Sequence, residues 1–67
     1  MNEQAVRAAV SEFLKKISAS AQREIEKSIR QAISSGQLKG HETFTTGVTL
    51  TSDKIGLNVT LYNSIEL

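Results

Sequence analysis

Two groups of residues in this 67-residue sequence are of types that could do chemistry. His41 stands next to Glu42, and a histidine–carboxylate pair can move a proton or help to hold a metal ion. Arg23, Lys27 and Arg30 recur at helical spacing, and Lys15, Lys16 and Lys39 can extend them. That stripe offers Arg23, Lys27, Arg30 and Lys39 to an anionic partner, either an acidic protein or a nucleic acid. Both groups have a plainer reading. His41 is the single histidine and there is no cysteine, so a metal there would find no second imidazole and no thiolate. Glu24 and Glu26 interrupt the basic stripe, as on an ordinary solvated helix face. Single-strand binders usually add stacking aromatics, and only Phe13, Phe44 and Tyr62 are present. The carboxylates are scattered, the serines have no base in readable spacing, and Gly36 and Gly40 follow a helix rather than precede one. No catalytic, metal or cofactor site is expected, and the chain is not expected to be an enzyme.

The elements that position these residues follow from periodicity. Val6, Val10, Phe13 and Ile17 make an apolar stripe over a first helix, residues 3–17, which Asn2 can cap. Ser18, Ala19 and Ser20 are expected to link it to a second helix over 21–35. Ser20 would be its N-cap, although Arg23 leaves the capping box incomplete. Ile25, Ile29 and Ile33 form the second stripe, and Gly36 can close the helix in a left-handed conformation. The period then changes from 3.6 to 2. Phe44, Thr46, Val48 and Leu50 alternate with Thr43, Thr45, Thr49 and Thr51 in a strand over 43–51. Ser52-Asp53-Lys54 signals a turn, and Ile55, Leu57, Val59 and Leu61 mark a second strand over 55–62. Asn63-Ser64 can turn the chain again, leaving Ile65-Glu66-Leu67 as a short third strand.

These elements predict one α+β domain over 1–67: two N-terminal helices packed on one face of a two- or three-stranded antiparallel meander. Val6, Val10, Phe13, Ile17, Ile25, Ile29, Ile33, Phe44, Val48, Leu50, Leu57, Val59 and Leu61 are the expected core. A domain this small is marginal alone and has no disulfide to staple it, which points to a homodimer. The threonine face, Thr43, Thr45, Thr49 and Thr51, is the candidate surface for that association; a solvent face of high strand propensity is the plainer alternative. Residues 1–40 carry seven Lys and Arg against four Glu, a net +3. Residues 41–67 carry Lys54 against Glu42, Asp53 and Glu66, a net −2, so the two halves could attract each other across a dimer. No apolar run reaches the length of a signal peptide or membrane span, which makes the cytoplasm the expected location and a membrane partner unexpected.

Phe13-Leu14-Lys15-Lys16, Gln22-Arg23-Glu24-Ile25-Glu26-Lys27, Ala32-Ile33, Gly36-Gln37-Leu38-Lys39-Gly40 and the closing Ile65-Glu66-Leu67 resemble an uncharacterised family of small bacterial proteins, a domain of unknown function. The resemblance spans nearly the whole chain. It implies a conserved compact unit and carries no activity, ligand or functional residue. The function expected on these grounds is a small non-enzymatic protein-interaction module that self-associates. The alternative is a weak nucleic-acid binder using the basic stripe.

Overall fold

The computed structural model describes all 67 residues, as a helix α1 (Glu3–Ser34), a strand β1 (Thr43–Ser52), a single 3-10 turn (Asp53–Ile55) and a strand β2 (Leu57–Glu66). The order is α-β-β, and it corrects the expectation of two helices on a two- or three-stranded meander. Two compact units divide the chain, Met1–Gln37 and Leu38–Leu67.

The first unit is one continuous helix of 32 residues, about 48 Å long at 1.5 Å per residue. It runs straight through Ser18-Ala19-Ser20, where a link was expected. The reason lies in what is missing: neither Gly nor Pro occurs between Asn2 and Gly36. Two serines cost a helix interior only about half a kcal/mol each, too little to break it. Ser20 is therefore no cap. Its Oγ accepts a hydrogen bond from Arg23 Nη2 at 3.1 Å instead. The real start is Asn2, whose Oδ1 accepts from the N–H groups of Gln4 (2.9 Å) and Ala5 (3.3 Å). The real stop is Gly36 at φ 82. Gly36 N–H donates to the Ile33 carbonyl and Gln37 N–H to the Ala32 carbonyl, the paired bonds of a Schellman closure.

One helix in place of two changes what the apolar stripes can do. Residues 6–17 and 25–33 lie along the same rod and cannot pack on each other. Ala21, Ile25, Ile29 and Ile33 are spaced by four, so each step turns the stripe by about 40° around the axis. No residue of the chain is buried, and the expected core is corrected accordingly. Ile25 and Ile29 are half-buried, while Val10 and Phe13 stand 51% and 54% exposed.

The second unit is an antiparallel hairpin in unbroken register from Thr43↔Glu66 to Ser52↔Leu57. The two strands have ten residues each, so β1 ends one residue past the expected 51. β2 starts at 57 rather than 55, because Asp53-Lys54-Ile55 forms the turn and Gly56 leaves it at φ 65, donating to the Asp53 carbonyl. No third strand forms. Asn63 and Ser64 continue β2, and Ile65 pairs with Phe44. Ile65 keeps the odd-numbered face of Leu57, Val59 and Leu61, so the strand continues without a change of face. Phe44, Val48 and Leu50 join those four on one apolar face of the sheet.

Candidate interaction surfaces

Three surfaces carry the residues singled out above, and their local geometry differs from what spacing alone suggests. On α1, Arg23, Lys27 and Arg30 share one side of the helix, and continuity of the helix adds Lys16, seven residues before Arg23. The stripe is partly neutralised from within. Arg30 Nη2 donates to Glu26 Oε1 at 3.0 Å, the one ion pair of the structure, and Gln22 Nε2 donates to Glu26 Oε2 at 2.8 Å. Those two hydrogen bonds, the Gln22 bond first, hold the Glu26 carboxyl below its ordinary range. Arg23 and Lys27 carry no ion pair, and Arg23 is steadied only by Ser20. Lys39 belongs to the second unit.

The second surface is the entry to β1. The Glu42 carboxylate turns back onto its own backbone and accepts from three consecutive N–H groups: Lys39 at 2.8 Å, Gly40 at 2.9 Å and His41 at 3.1 Å. Gly40 at φ 106 makes the bend that points these amides at one anion. Those hydrogen bonds, led by the one from Lys39, lower the Glu42 pKa to about 2. The carboxylate proposed as a partner for the His41 ring is thus engaged by main-chain amides. No group of three His, Cys, Asp or Glu is placed to hold a metal ion. Leu67 N–H donates to the Glu42 carbonyl at 3.0 Å, tying the chain's last residue to the same corner. Sequence reading missed this nest; a glycine two residues before a glutamate at a helix-to-strand change was its only signal.

The third surface is the polar face of the hairpin. Thr43, Thr45, Thr49 and Thr51 lie together on it, opposite Glu66, Ser64, Thr60 and Asn58. The Thr49 and Thr60 hydroxyls lie 3.0 Å apart and share a hydrogen bond. Gly47 faces Tyr62 across the strands, and the ring lies over it so closely that a Cβ at 47 would sit 2.8 Å from Cε1 and 2.9 Å from Cδ1. The aromatic ring covers the gap that glycine leaves in a strand.

A capped helix and a two-stranded hairpin define a small α+β protein. No helix is long and apolar enough to cross a membrane. The chain belongs to a family of unknown function, DUF6494, whose family model matches residues 1–67. No curated protein and no solved structure gives a significant match.

Proposed function

We propose that the protein is a small, non-enzymatic interaction module that works in the cytoplasm by assembling with a second copy of itself. Exposure carries this reading. Val10, Phe13, Leu14, Leu61 and Tyr62 are each more than half exposed, and no apolar side chain is buried. Apolar surface in such quantity is the signature of a partner-binding face. The hairpin supports the same conclusion, since a two-stranded sheet is marginal by itself in water and keeps two unpaired edges. Thr43, Thr45, Thr49 and Thr51 are the residues assigned to contact between hairpins. Light scattering over a range of concentrations tests the reading. A mass rising to twice the 7.3 kDa of the chain is expected, and a fixed monomer mass overturns it.

The second reading is weak binding of a nucleic acid or acidic protein on Arg23, Lys27 and Arg30 of α1. Its support is the continuity of α1, which adds Lys16 to the stripe. A gel shift that weakens steeply with salt and with Arg23→Glu would establish it; no shift at low salt would discard it.

A further inference from the structure

We propose that two copies meet along the N-terminal half of α1, Val6–Ile17 of one helix lying antiparallel against the same segment of the other. This rests on the self-association reading and adds to the threonine face a second contact, on the helix. Val6, Val10, Phe13 and Ile17 are separated by four, three and four residues and stand 39%, 51%, 54% and 43% exposed, with Leu14 beside them at 51%. Val6 to Phe13 and Val10 to Ile17 are each a step of seven residues, the heptad spacing at which one helix seats its side chains between those of another. The chain has one helix, so a helical partner must come from another chain. The segment is complementary to itself about its midpoint between Ser11 and Glu12. There Val6 faces Ile17 of the second copy, and Val10 faces Phe13 of the second copy, as a twofold contact requires. The seam ends where the spacing changes: after Ala21 the apolar residues recur every four and turn away from it.

Charge sets the direction. Continuing the three-four spacing reaches Glu3 before the seam and Ser20, Glu24 and Lys27 after it. A parallel pair would stack Glu3 on Glu3, Glu24 on Glu24 and Lys27 on Lys27, and like charges in a seam are repulsive. The antiparallel pair sets Glu3 of one copy opposite Ser20 of the other, where the Arg23 guanidinium already sits 3.1 Å from the Ser20 hydroxyl. Both ends then bring a carboxylate toward a guanidinium. Glu24 and Lys27 pass beyond the end of the opposing helix.

The test uses the full chain. Phe13→Gln is expected to raise the dimer dissociation constant about a hundredfold in sedimentation, because two aromatic side chains leave the seam. Helix content should be unchanged, since glutamine is a good helix former at an exposed position. Mixing Glu3→Cys chains with Ser20→Cys chains under a mild oxidant should give a mixed disulfide dimer, and this result decides the matter if Phe13→Gln loses helix. Glu3→Cys cross-linking to itself in preference overturns the antiparallel arrangement. A wild-type dimer that Phe13→Gln leaves intact overturns this surface while the self-association reading stands. A wild-type monomer at every concentration overturns both.

Discussion

The Glu42 carboxyl is the residue most altered by folding, and it is altered by backbone rather than by another charge. Three N–H groups converge on it, and its pKa falls to about 2. The unfolded chain protonates this group near the usual 4.5, whereas the folded chain resists until about 2. Its contribution to stability is therefore complete above about 4.5 and lost as the pH falls from there toward 2. Carboxyl resonances of Glu42 should titrate near 2, with the Lys39, Gly40 and His41 amides moving in step; a midpoint near 4.5 would mean that the nest does not persist in solution. A second residue-scale prediction concerns Gly47. Gly47→Ala forces its new methyl against the Tyr62 ring, at a cost of about 1 kcal/mol. Tyr62→Ser in the same chain should remove most of that cost, leaving only the Thr60 Cγ2 contact at 3.2 Å, a double-variant comparison that a thermal melt can read.

Among the elements, α1 offers the sharpest contrast between two readings of the same residues. If Ser18-Ala19-Ser20 were a link before a second helix, proline at position 19 would be tolerated. In the continuous helix, Ala19→Pro removes an interior hydrogen bond and clashes with the preceding turn, costing about 3 kcal/mol or more. Circular dichroism should show a large loss of helix for Ala19→Pro, and a near-normal spectrum would restore the two-helix arrangement. The hairpin makes the same point from the other side. Its two strands are equal in length and their register has no gap, so Asn63 to Glu66 are paired within β2 rather than in a third strand. Asn63 and Ser64 are turn-prone residues held in a strand because Thr46 and Thr45 stand opposite them.

For the molecule as a whole, the deciding quantity is apolar surface left in water. A long helix gains most of its stability from packing an apolar face, and a lone hairpin needs cover as well. Both elements here keep their apolar side chains at least partly exposed. Association that covers such surface binds the folded form alone and so stabilises it by mass action. The thermal midpoint should accordingly rise with protein concentration, by several degrees across a hundredfold range. A midpoint independent of concentration would show that folding draws nothing from a partner.

The sequence by itself determined the change of period near Gly40, both helix terminators and the face each strand residue occupies. Asn2, Gly36 and the alternation from Phe44 to Leu61 act through bonds within a few residues of themselves, so their effect is readable locally. Tertiary structure decided how many elements there are and where they end. Ser20 was an adequate cap for a helix that never had to begin there, because no breaker competes with continuation. The Glu42 nest and the Tyr62 ring over Gly47 depend on dihedral angles and cross-strand register, which residue types constrain only once the chain has folded.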